Sequence, residues 1–213
     1  MAHGYARAQT RGEELANTIS HGVGALLSLL GAAILFAGGI LSGSKLTLLS
    51  LAAYGVSLVL LYSSSAVYHA VKKTRLKAVL RVMDHCSIYL LILGTYIPMS
   101  LLVIGGKLGW VLFLTNTTLA ILGITLTAID LNRFDKFSLV LYALMGWLVV
   151  LALRSVLAAL TPPAAFYLVS GGVAYTVGIL FYRSKRSYMH FVWHLFVLAG
   201  SVLQYLCIAI SCL

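Results

Sequence analysis

Six ionisable side chains of this 213-residue chain stand within or at the ends of long apolar runs: His21, His69, Asp84, His85, His190 and His194. Ionisable groups in such runs are costly, and each is read as functional by default. His190-x-x-x-His194 puts two imidazoles on one helix face, about 6 Å apart along the axis. Two nitrogens so placed can both reach one metal ion at about 2.0–2.1 Å. Ser65-x-x-x-His69 sets a hydroxyl and a third imidazole in the same relation. Three histidines leave the fourth position of a tetrahedral Zn²⁺ open to water, which is the pattern of a catalytic site rather than a closed structural one. Asp84 is then the group to hold or deprotonate that water, and Ser65 can hydrogen-bond to it or to Asp84. The competing chemistry is a proton relay, since buried His/Asp chains also carry protons in transporters.

The elements that must position these groups are membrane helices. Hydrophobic residues make up 61% of the chain and charged residues 9%, and the mean hydropathy is +1.00. A soluble domain of this size buries roughly three quarters of its surface at best and cannot hide so much apolar area. A soluble globular enzyme, a disordered tail and a nucleic-acid-binding module are all excluded. Reading along the chain gives seven spans: 18–42, 46–70, 82–104, 108–129, 137–157, 164–182 and 187–211. Each has the roughly 20 apolar residues that a crossing requires. The runs are continuous rather than alternating, which speaks against a β-barrel. Residues 1–17 carry Arg7, Arg11, Glu13 and Glu14 with no apolar core. They read as a cytoplasmic tail rather than a signal peptide, before one membrane domain over 18–213.

Charge sets the expected orientation. The formal charge is +10. Arg7, Arg11, Lys72, Lys73, Arg75, Lys77, Arg81, Arg133, Lys136, Arg183, Lys185 and Arg186 fall on one side, and only Lys45, Lys107 and Arg154 on the other. The positive-inside rule places the N-terminus in the cytoplasm and the C-terminus outside. The same loops suit anionic lipid headgroups. With that topology, His21, His69, Asp84, His85, His190 and His194 share one level near the cytoplasmic face, although they come from four different spans.

Other features read more plainly. His21 and His85 read as interfacial residues that bond to loops. Pro98 should kink the third span, and Pro162-Pro163 separates the fifth from the sixth. Gly94, Gly123 and Gly146 should admit close helix contacts. Tyr54, Tyr62, Tyr68, Tyr89 and Tyr96 read as packing or interfacial residues. Asp130, Arg133 and Asp135 read as a solvated loop cluster. Cys86, Cys207 and Cys212 form no paired pattern and read as packing residues.

Four stretches together resemble the hemolysin III family, the bacterial branch of the progestin and adipoQ receptor group that includes the adiponectin receptors. They are Glu13-Glu14-Leu-Ala-Asn17-Thr-Ile-Ser-His21-Gly, Ser64-Ser65-Ala-Val-Tyr68-His69, Asp84-His85-Cys-Ser-Ile-Tyr89 with Gly94-Thr95-Tyr96-Ile-Pro98, and His190-Phe-Val-Trp-His194. Tyr142-Ala-Leu-Met-Gly146-Trp147 also fits. The resemblance implies seven helices, a cytoplasmic N-terminus and an intramembrane zinc held by His69, His190 and His194. Asp84 and Ser65 take the water-holding roles. It also implies kinship with membrane amide hydrolases such as the alkaline ceramidases, and a bacterial plasma-membrane location.

Three functions are open at this point. One is a zinc-dependent hydrolase of a lipid amide or ester that enters from the inner leaflet, with Asp84 passing a proton from water to the leaving group. Another is a receptor or regulator of membrane composition in which zinc is structural. The third is a channel-like or cytolytic protein using the His/Asp group as a relay. That relay would need Gln204, Thr115, Asn116 and Thr117 as its outer path.

Overall fold

A computed structural model describes residues 9–72 and 75–213. Arg7, Lys73 and residues 1–8 of the expected tail lie outside the described residues. Among the described residues there is no strand. The helices are α1 (Arg11–Leu41), α2 (Lys45–Ala70), α3 (Arg75–Pro98), α4 (Gly106–Trp147), α5 (Leu153–Ala159), α6 (Pro162–Tyr182) and α7 (Met189–Cys212). A π-helical turn over Met99–Ile104 follows α3, and a 3₁₀ stretch over Leu148–Ala152 follows α4. Among the described residues, six helical segments are long and apolar enough to cross a membrane, with Gly106–Ala159 counted as one.

Helix ends follow local chemistry. Thr10 and Glu13 form a reciprocal capping box, so α1 starts two turns before the apolar run. Ser44 caps α2 by accepting from the Thr47 N–H at 3.3 Å. Pro98 ends α3, and its missing donor falls where the backbone loosens into the π-helical turn. The two prolines occupy the first turn of α6, where an N–H would be unpartnered anyway.

Within α4, Asp130 leaves helical geometry (φ −157°, ψ 92°). Its Oδ1 accepts from the Arg133 N–H at 3.0 Å, as an N-cap would. The segments on either side are paired by side chains: Asn116 Nδ2 donates to the Met145 carbonyl at 3.3 Å, and Thr127 and Ser138 hydroxyls meet at 3.2 Å. A buried cluster of Tyr89, Ala120, Leu141 and Met145 joins both halves to α3. The expected loop cluster is only partly solvated, because Tyr182 donates to Asp135 Oδ1 at 3.2 Å and leaves that residue half-buried.

The helices are inside out by the standards of a soluble protein. Along α1 the buried positions are Glu13, Asn17, Ser20, His21, Gly24, Ser28, Leu35 and Gly39, whereas Leu15, Ile19, Val23, Leu26, Leu30 and Ile34 face outward. Burial of polar and small residues behind an apolar exterior is stable only in lipid. α1 packs on α2, α2 on α3, α3 on α4 and α6 on α7, and α7 returns to α1. The N-terminal ends of α1, α3 and α7 and the C-terminal end of α2 thereby meet at one end of the bundle. Between α3, the second half of α4, α6 and α7 lies an apolar cavity of about 200 Å³.

Glycines divide into two kinds. A Cβ on Gly94 would overlap Ser57, and one on Gly123 would overlap the ring of Tyr89, which is fully buried. Gly146 has nothing within 4 Å of such a Cβ, so its missing side chain admits no close helix approach, contrary to expectation, although its carbonyl accepts from Tyr96 Oη at 3.1 Å. Gly123→Ala should therefore destabilise the bundle by about 1–3 kcal/mol through overpacking. Gly146→Ala should be neutral or stabilising by up to about 1 kcal/mol. Thermal unfolding in detergent checks the opposite signs. Cys86, Cys207 and Cys212 are all free thiols.

Candidate metal centre

His69 ends α2, while His190 and His194 occupy the first two turns of α7. Each offers a ligand nitrogen, and these nitrogens lie within 4.8 Å of one another. The ring centroids are 5.3 Å apart for His69–His190, 5.0 Å for His69–His194 and 4.7 Å for His190–His194. His69 and His194 are buried and His190 is half-buried. The group could hold a metal ion.

The hydrogen bonds around the rings leave lone pairs facing that group. His69 Nδ1 is 2.6 Å from Glu14 Oε2, so Nδ1 carries the proton and Nε2 the lone pair. Ser20 Oγ donates to the Asn17 carbonyl at 3.0 Å and lies 3.3 Å from His194 Nδ1, so Nδ1–H of His194 donates to it. His69 Nε2 and His190 Nε2 are buried and have no hydrogen-bond partner. Buried polar atoms are ordinarily satisfied, and each exception calls for an explanation. A cation bound by neutral imidazoles supplies one. Imidazole donors suit zinc, copper, iron or nickel.

Ser65 Oγ is buried and unpartnered one turn before His69. The half-buried Asp84 stands near Ser65 and His69. Its neighbour His85 turns toward the apolar cavity, and its Nδ1–H donates to the Arg81 carbonyl at 2.9 Å. Asp84 and His85, about 100° apart around α3, therefore meet different neighbours.

His21 departs from expectation. It is 4% exposed, stacks on His194 with centroids 3.6 Å apart and an interplanar angle of 12°, and meets Tyr62 edge-on at 5.0 Å. It is a wall of the centre rather than an interfacial residue, because α1 packs between α2 and α7. Sequence reasoning also missed Glu14, Asn17 and Ser20 as neighbours of the histidines. Their signal was the helical spacing of 14, 17 and 21 on one face of α1.

Fold and site together define a helical, multi-pass membrane protein with a three-histidine centre able to hold a metal. Residues 9–205 match the model of the haemolysin-III related family, and the chain belongs to that family. It is 39% identical over 197 residues to Hemolysin-3 of Bacillus cereus, covering 92% of this chain and 90% of that protein. It is 37% identical over 201 residues to the Hemolysin-3 homolog of Bacillus subtilis (strain 168), covering 94% of each. A more distant likeness, 27% over 163 residues, joins it to the human Monocyte to macrophage differentiation factor, covering 71% of this chain and 66% of that protein.

Proposed function

We propose that this chain is a seven-pass zinc hydrolase of the bacterial plasma membrane, acting on a lipid amide or ester drawn from the inner leaflet. The observation that carries the reading is the meeting of three imidazoles with Asp84 and the unpartnered Ser65 at one end of the bundle.

The seventh pass comes from Asp130. The 54 residues of Gly106–Ala159 would reach about 80 Å as one straight helix, against a hydrocarbon core of about 30 Å. The break at Asp130 and the Asn116–Met145 and Thr127–Ser138 bonds support two antiparallel passes. The basic residues at the histidine end support a cytoplasmic N-terminus, an outer C-terminus and contact with anionic headgroups. The chain is then one membrane domain whose first helix begins at Arg11, within the expected tail of residues 1–17.

His69, His190 and His194 would hold the zinc, which would supply an acidified water and polarise the substrate carbonyl. Asp84 accepts the proton from the attacking water and returns it to the leaving amine or alkoxide. The Ser65 hydroxyl, one turn from His69, orients the water or the carboxylate. Tyr182 and Trp193 stand between His190 and the apolar cavity, which offers room for an acyl chain. The burial of the centre among membrane-spanning helices favours a lipid over a polar substrate.

The relay reading has less support. Thr115 is exposed on the lipid side, and Thr117 bonds to the carbonyl of its own helix at Phe113. Asn116 and Gln204 are each tied to a backbone carbonyl, of Met145 and Leu168. These groups make no continuous path to the outer face.

The test is turnover of a panel of fluorescent lipid amides and esters by purified protein in nanodiscs. Hydrolysis that stops with a chelator and returns with zinc is the expected result. One zinc per chain with no turnover across the panel would leave the metal structural and favour the receptor reading.

A further inference from the structure

Two neighbouring carboxylates open α1, and the chemistry above uses neither. We infer that Glu14 is a positioning residue for the metal: it locks His69 in the tautomer and orientation that present Nε2, and Lys77 holds Glu14 in place. The inference rests on the three-histidine metal site proposed above.

The geometry is specific. Glu14 Oε2 lies 2.6 Å from His69 Nδ1. A carboxylate only accepts, so the proton sits on Nδ1 and the lone pair on Nε2. That Nε2 is the buried atom without a partner beside His190 and His194. With Nδ1 so engaged, Asn17 Nδ2 at 3.5 Å has no lone pair there to bond. The other carboxylate oxygen, Oε1, accepts from Lys77 Nζ at 2.9 Å. The Lys77 ammonium also lies 4.9 Å from the centroid of the Tyr68 ring, which fixes it further.

The clamp joins three helices: Glu14 from the first turn of α1, His69 from the last of α2 and Lys77 from the first of α3. A solvent-exposed ion pair would contribute little. The His69 side chain, however, is 1% exposed, and its ring cannot reorient into water. A carboxylate on the second nitrogen of a metal-bound imidazole fixes the ring and raises its basicity. Ser20 offers His194 the same contact with a neutral oxygen at 3.3 Å, a weaker version. Glu13 faces elsewhere, accepting from the backbone N–H of Tyr188 at 2.7 Å and of Thr10 at 2.8 Å. Adjacent carboxylates thus brace two different partners: Glu13 the entry to α7, Glu14 the imidazole at the end of α2.

Zinc affinity of the purified full chain, measured by competition with a chromophoric chelator, tests this. Wild type should bind one zinc, lost in His190→Ala. A wild type that binds none would overturn the triad and this inference with it. Given a binding wild type, Glu14→Ala should weaken zinc affinity by about 10–100-fold, and affinity equal to wild type would overturn the clamp alone. Glu14→Gln keeps the accepting oxygen and loses the charge, so its loss should be smaller. If Glu14→Ala does not fold, Glu14→Gln decides: a threefold or greater loss supports the clamp, and equality overturns it. The visible spectrum of the Co²⁺ form should shift in Glu14→Gln while melting of the metal-free protein stays at the wild-type temperature, a pattern that a merely structural role would not give.

Discussion

Replacing His194 by alanine should strip the protein of its metal while leaving a helical, membrane-embedded chain. His194, on α7, is 2% exposed and belongs to the three-histidine group. Structural zinc sites bind with about 10–16 kcal/mol shared over about four ligands, so one ligand accounts for about 3–4 kcal/mol. Its loss should lower zinc affinity by a factor of about 10²–10³. His85→Ala is the matched control. That imidazole bonds to the Arg81 carbonyl and lines the cavity, outside the three-histidine group. Metal content by elemental analysis should be unchanged in His85→Ala and near background in His194→Ala after the same wash. Equal metal in both would remove His194 from the site.

Replacing Asp84 by asparagine should separate chemistry from metal binding. The two side chains have nearly the same shape, so packing beside Ser65 and His69 is kept and only the capacity to take a proton is lost. A general base contributes typically about 10²–10⁴-fold, and turnover of the lipid substrate should fall by that factor at unchanged zinc content. Full turnover in Asp84→Asn would remove the carboxylate from the mechanism. Loss of zinc together with activity would instead make Asp84 part of the metal-binding set.

The residues of the centre differ in how legible they were. His190 and His194 are one helical turn apart, as are Ser65 and His69, and that relation is local to the sequence. The shared depth of α2 and α7 followed from where the basic residues cluster. The contribution of α1 was hidden because its apolar run begins near Thr18, so Glu13 and Glu14 read as tail. The Thr10–Glu13 capping box was the local sign that the helix begins at Arg11. Glu14 and His69 are 55 positions apart, and no spacing rule reaches across that distance. His21 read as interfacial because it is a lone histidine near a span end. Only the packing of α1 against α7 places it face to face with His194. The polar run from Asp130 to Lys136 marked a boundary, and Asp130, out of helical geometry, is where two helices meet at a kink within α4. Gly146 shows the limit of composition: a small residue on a membrane helix need not face a neighbour.

The most direct measurement is X-ray absorption at the zinc edge on purified, zinc-supplemented protein, with metal quantified per chain. One zinc per chain, with nitrogen or oxygen neighbours at about 2.0–2.1 Å and the scattering signature of three imidazoles, is the result the account requires. A preparation that stays free of zinc after supplementation, or whose zinc signature is unchanged in His194→Ala, would contradict it.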